Sequence, residues 1–242
     1  MRVAPGVEML ELSAILMKGP GVLCPTLLWD LENVVLVDAG LPGMARQFHE
    51  AMEQAGVPEQ KLTAIIVTHH DLDHIGSLGE LQKSARQHVE ILAHREEVPY
   101  VEGERWPIKM SPEMMATLPE EQRHGMLAMV EKLREQKIRV DRALEDGQVL
   151  PYCGGMQVIH TPGHTPGHIC LYLPASKTLI AGDSLFVEAG KLAPAPAFIN
   201  ADTPLALQSL RKLASHDVAN VIAYHGGLFQ NLSNARIAEI VS

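Results

Sequence analysis

The chain has 242 residues, 46% hydrophobic and 20% charged, which fits a globular α/β unit and excludes a disordered chain. Its formal charge of −9 disfavours nucleic acid and anionic membrane surfaces as partners, since both would be repelled. Cys24, Cys153 and Cys170 are too few and too scattered for a disulfide framework or a zinc ribbon. The first residues, MRVAPGVEMLELSAILMKG, lack the apolar core of a leader, and no stretch reaches the ~18 apolar residues of a membrane span. The odd number and wide spacing of the cysteines fit a reducing cytoplasm.

Between residues 7 and 38, VLCPTLLWD and ENVVLVDAG read as neighbouring strands, VVLVD being apolar enough for burial on both faces. Met44, Phe48, Ala51, Met52 and Ala55 keep helical spacing, which stops at Gly56 and Pro58. TAIIVTH predicts a buried strand that delivers His69 at its carboxyl end, where open α/β sheets place chemistry. A short helix over about 77–87 and the strand VEILAH complete this half.

Residues 95–146 differ: four prolines, five methionines, Trp106 and many charges predict a helical insertion beside the sheet, with an amphipathic helix over EEQRHGMLAMVEKLREQ. It serves either as packing, within the chain or against a second subunit in a symmetric dimer, or as a lid with an adaptable methionine wall. MQVIH, HICLYL and TLIAGD return to short strands. Thr203 is expected to cap a helix with Pro204 in its first turn. A last strand, VANVIAYHGG, leads to His225, and NARIAEIVS to a closing helix.

Four polar clusters follow apolar strands: HHDLDH (69–74), TPGHTPGH (161–168), AGDS (181–184) and AYHGG (223–227). One sheet edge could present all four to a single point. Imidazole and carboxylate are the ligand types of zinc, iron and manganese sites. Alternation after a strand lets His69, Asp71 and Asp73 face one way, with His74 following.

These motifs, in this order, resemble the metallo-β-lactamase superfamily, whose H-x-H-x-D-H motif is followed by a lone histidine, a bridging aspartate in a GD motif and a final histidine. The resemblance runs over nearly the whole chain and is weakest in 95–146. It implies a single domain, an αββα four-layer sandwich of two β-sheets with helices outside and metals at one edge. It implies two divalent metal ions, zinc first. One is held by His69, Asp71 and His164, the other by Asp73, His74 and His225, with Asp183 shared. VDAG (37–40) places Asp38 behind the ligands. His70 and His168 are left over; either could ligate only in a shifted register, and His168 is expected to pack or hydrogen-bond beneath the site.

Asp71 departs from the family pattern, which has histidine there. Counting ligand charges, a third carboxylate lowers a two-metal centre from +2 to +1, weakening its Lewis acidity and admitting manganese or iron. The leading expectation is a hydrolase of a small-molecule ester, lactone or thioester, in which a metal-bound hydroxide at the binuclear site attacks a carbonyl. Asp73 and Asp183 take the catalytic roles, Asp73 orienting the hydroxide. The alternatives are iron-based redox chemistry, since flavodiiron members also carry a carboxylate at this place, or a weakened site that binds metal without catalysis. GDSLF (182–186) resembles the glyoxalase II-like and lactonase-like branch, although no basic cluster follows His225 to hold glutathione carboxylates.

Overall fold

The computed structural model describes residues 1–16, 19–116, 118–230 and 233–241. In chain order it begins with β1 (Arg2–Ala4), β2 (Val7–Met9), a hairpin of β3 (Leu12–Leu16) and β4 (Gly19–Leu23), then β5 (Thr26–Trp29) and β6 (Val34–Val37). Helix α1 (Ala45–Gln54), β7 (Ala64–Val67), α2 (Leu72–Ile75), α3 (Leu78–Ser84) and β8 (Glu90–His94) follow. After α4 (Val98–Val101), α5 (Pro112–Met115) and α6 (Glu120–Glu135), the chain forms β9 (Arg142–Leu144), β10 (Val149–Leu150), β11 (Met156–His160), β12 (Ile169–Leu173) and β13 (Thr178–Ile180). It ends with β14 (Leu185–Glu188), β15 (Lys191–Pro194), α7 (Thr203–Leu210), β16 (Asn220–Ala223), β17 (Gly227–Gln230) and α8 (Ser233–Val241).

Two sheets carry the fold, with strand orders β1-β2-β5-β6-β7-β8-β9 and β10-β11-β12-β13-β16-β17. Period-two alternation accounts for the four layers. In β6 and β7, Val35, Val37, Ala64 and Ile66 face inward and meet Val158, Leu171, Ile180 and Ile222 of the second sheet. Their neighbours Leu36, Ile65 and Val67 face outward onto Phe48 and Met52 of α1 and Leu78 and Leu81 of α3. The second sheet does the same: Cys170, Tyr172 and Val221 turn outward to Leu210 of α7 and Ile237 of α8. Burying a side chain such as Phe48 contributes about 1.5–3 kcal/mol, so helices on both outer faces follow from strands apolar on both sides. The αββα sandwich expected from the sequence is the observed fold.

Three local expectations need correction. VLCPTLLWD is not one strand: Pro25 has no N–H for a ladder, so β4 ends at Leu23 and β5 begins at Thr26. The helical stretch expected to reach 146 ends earlier, because Arg142–Leu144 pairs in parallel with β8 as the edge strand β9. Helix α7 is capped by Asp202, whose carboxylate accepts from the Leu205 N–H at 2.9 Å, while the Thr203 hydroxyl donates to the Ala197 carbonyl. All three cysteines are free. Among the described residues no helix is long and apolar enough to cross a membrane.

Candidate metal centre

The parallel strands β6, β7 and β8 and the strands β11, β13 and β16 end at the same edge of the sandwich, where the residues that follow them meet. The Thr68 carbonyl after β7 accepts from the Ile169 N–H at 3.1 Å, tying the two sheets together at this edge. Asp38, buried and at φ 67, lies just beyond β6. Its carboxylate accepts from the Thr68 N–H at 2.8 Å, from the Thr68 hydroxyl, and from His74 Nδ1 at 2.9 Å. Thr68 Oγ1, its own proton committed to Asp38, can accept from His69 Nδ1 at 3.1 Å. This keeps a proton on Nδ1 of both histidines and turns each Nε2 into the site. Asn200 Oδ1, 3.1 Å from His164 Nδ1, sets the same tautomer there. Gly182 delivers Asp183 by a turn at φ +50; a Cβ there would lie 2.7 Å from His168 Nε2.

All seven side chains proposed from the sequence converge. His69 Nε2 lies 3.1 Å from His164 Nε2 and 3.3 Å from Asp71 Oδ2, and His164 Nε2 lies 3.1 Å from the same oxygen. On the other side, His225 Nε2 stands 3.3 Å from Asp73 Oδ2, and His74 Nε2 3.9 Å from it. Asp183 spans both groups: Oδ1 is 3.3 Å from His74 Nε2, and Oδ2 is 3.3 Å from His225 Nε2 and 3.6 Å from His164 Nε2. Ligands of a four-coordinate metal at ~2.0–2.2 Å stand about 3.3–3.6 Å apart, so these spacings fit metal ions. His74 Nε2 and Asp183 Oδ1 add an independent sign. Both are buried and neither makes a well-formed hydrogen bond, facing each other at 3.3 Å, a costly state that a cation between them would relieve.

The electrostatics divide the centre. Burial opposes charge on His74, yet Asp38, Asp183 and Asp73 hold its pKa well above the ordinary value. His225 is likewise pushed up to about 10 against burial, by Asp183 and Asp73. Burial, then His74, holds His69 well below the usual imidazole range. Burial would raise Asp71 and Asp183, but the facing histidines hold both well below the usual carboxylate range, Lys109 adding to this at Asp71.

Lys109 is a residue the sequence reading missed. Its Nζ pairs with Asp71 Oδ2 and lies 2.7 Å from His164 Nε2. The charge count of +1 therefore omitted a cation that the fold places beside the extra carboxylate. Glu97 was missed as well. Fully buried, it accepts from the His70 N–H at 2.9 Å, His70 Nδ1, the Thr165 hydroxyl at 2.7 Å and the Gly167 N–H at 2.6 Å. It thus joins the 69–74 loop to the 161–168 loop. His70 stacks on Tyr100 with ring centroids 4.2 Å apart, and its Nε2 accepts from the Ile108 N–H at 3.3 Å. His168 Nε2 accepts from the Asp183 N–H at 3.0 Å while Nδ1 meets Thr161 Oγ1 at 2.8 Å. Both leftover histidines therefore have their ring nitrogens occupied.

A sheet-edge cluster of histidines and aspartates on an αββα sandwich defines a class of protein. The family model of the metallo-beta-lactamase superfamily matches residues 25–225, and the chain belongs to that superfamily. It is 33% identical over 212 residues to the probable metallo-hydrolase YflN of Bacillus subtilis (strain 168), covering 81% of this chain and 76% of that protein. It is 39% identical over 102 residues to a hydroxyacylglutathione hydrolase of Mesorhizobium japonicum, covering 41% of this chain and 36% of that protein. A metallo-beta-lactamase family protein from Thermus thermophilus superposes with a TM-score of 0.71 at 26% identity, covering 99% of this chain and 79% of that one. Membership in this superfamily supports a metal-dependent hydrolase.

Proposed function

We propose that the protein hydrolyses a small-molecule ester, lactone or thioester at a centre of two divalent metal ions, zinc first. The observation that carries this reading is the position of Asp183, whose Oδ2 lies 3.6 Å from His164 Nε2 and 3.3 Å from His225 Nε2 while its Oδ1 faces His74 Nε2 at 3.3 Å. His69, Asp71, His164 and Asp183 would hold one ion, and Asp73, His74, His225 and Asp183 the other. When bound, such ions supply an activated water and a Lewis acid for a carbonyl oxygen.

The protein's own groups do the rest. Asp38 and Thr68 keep His69 and His74 in the tautomer that offers Nε2. Asp73, half-buried with its Oδ2 toward His225, would orient the attacking water and take its proton. Phe186, whose ring centroid lies 4.9 Å from that of His225, supplies an apolar flank for an acyl chain. The similarity to a hydroxyacylglutathione hydrolase supports including thioesters, and the net acidity disfavours polyanions as substrates.

The test is plasma mass spectrometry of the tag-free protein, expressed with zinc, manganese and iron all present, followed by a lactone, ester and thioester screen. Two zinc or manganese ions per chain with turnover of one class supports the proposal. Predominant iron with oxygen consumption would replace hydrolysis by redox chemistry, and one ion without turnover would leave a metal-binding protein.

A further inference from the structure

The segment from Glu97 to Lys109 wraps around the first ligand loop. Glu97 clamps His70 from one side, Tyr100 stacks on its ring, and the Ile108 N–H closes on its Nε2. The next residue, Lys109, reaches past His70 to Asp71 and His164. Asn200 takes the Nδ1 proton of His164, so the only lone pair that His164 can give to Lys109 is the one on Nε2. A metal ion would need that same lone pair, and the same Asp71 oxygen.

We propose that Lys109 is an internal cation of the centre, held by Asp71, which competes with the metal at the His69/His164 corner and is released when metal binds there. This assigns a purpose to the aspartate at 71. An imidazole at that position would face an ammonium without neutralising it, whereas a carboxylate pairs with it. Lys109 acts on the metal through Asp71 and His164 and is a positioning residue. The anchoring of Ile108 to His70 keeps the released ammonium tethered at the rim of the site. The inference rests on the two-metal reading above.

The test is a zinc affinity cycle on the full chain, by chelator competition, with wild type, K109M, D71N and the double variant; K109Q repeats the single change with a polar side chain. K109M and K109Q are expected to tighten the weaker zinc site at least about tenfold, since a positive charge in contact with two ligand atoms is removed. In the D71N background, where the paired carboxylate is gone and only the His164 Nε2 contact remains, K109M is expected to change affinity less than about twofold. Equal tightening in both backgrounds would reduce Lys109 to a distant charge and overturn the pairing, as would no tightening in either. A wild type that binds no zinc at all would overturn the two-metal reading and this inference together. As a second readout, reductive methylation followed by peptide mass spectrometry should find Lys109 more reactive in the zinc-loaded protein than in the metal-free one. Unchanged labelling would also count against release.

Discussion

The two corners of the centre share Asp183 but are built in opposite ways. At the Asp73/His74/His225 corner, carboxylates outweigh cations, and both histidines are held above their ordinary range. At the Asp71/His69/His164 corner, His69 is held below it, and Lys109 already occupies the oxygen of Asp71. The difference teaches that charge compensation need not come from metal at both places. The first corner is a net acidic pocket, while the second carries a cation of its own. Metal is therefore expected to fill the Asp73/His74/His225 corner first.

The largest expected effect belongs to the residue that spans both corners. Asp183→Asn should remove nearly all metal and lower turnover at least about a thousandfold. Metal content like that of wild type, measured by plasma mass spectrometry, would break the picture of a shared bridge. Next comes Asp38→Ala, which frees the tautomers of His69 and His74 together. Zinc affinity should fall about 10–100-fold, read by chelator competition, and the loss should reach both corners because Asp38 acts on one histidine of each. Loss at one corner alone would show that the relay through Thr68 does not matter.

The contrast between the corners also has a pH signature. A group held above its ordinary pKa keeps its proton near neutrality, and a metal must expel that proton to reach Nε2. Zinc affinity at the Asp73/His74/His225 corner should therefore climb as pH rises toward about 10, the value reached by His225, and fall as pH drops. His69 already offers a free lone pair, so its corner should be flatter. Calorimetric titration in two buffers of different ionisation enthalpy should find about one or more protons released with the first zinc. Proton release confined to the second zinc would reverse the proposed filling order. The smallest effect is expected at Trp106, whose ring lies under the Arg134 guanidinium at 5.2 Å. Trp106→Ala should raise KM about twofold to fivefold with metal content unchanged, by loosening the packing of the insertion on Arg134. Unaltered kinetics would reduce the insertion to packing.

The sandwich was legible because VVLV and AIIV are apolar on both faces and end in polar residues, a pattern that only a doubly covered sheet satisfies. The seven candidate ligands were legible because each follows such a strand within a few residues. Glu97 lay within reach of the same rule, since it follows the buried strand β8, but its loop holds no histidine to mark it. Lys109 gave no local signal. It is one of 20 lysines and arginines, and only the tertiary path from Glu97 through Ile108 brings it to Asp71. The split of VLCPTLLWD was readable from Pro25, whereas the edge strand β9, with only Leu144 of its three residues buried, looks like loop until β8 offers its partner edge.

Glu97 carries a consequence for how the molecule breathes. The amides of His70 and Gly167 are separated by nearly a hundred residues, yet both donate to one carboxylate that is fully shielded from solvent. Neither loop can swing outward without stranding that charge, which would cost several kcal/mol, about 3–5 by analogy with other broken buried pairs. The two loops therefore form a single cooperative unit, and their amides should exchange with solvent deuterium in the same opening event.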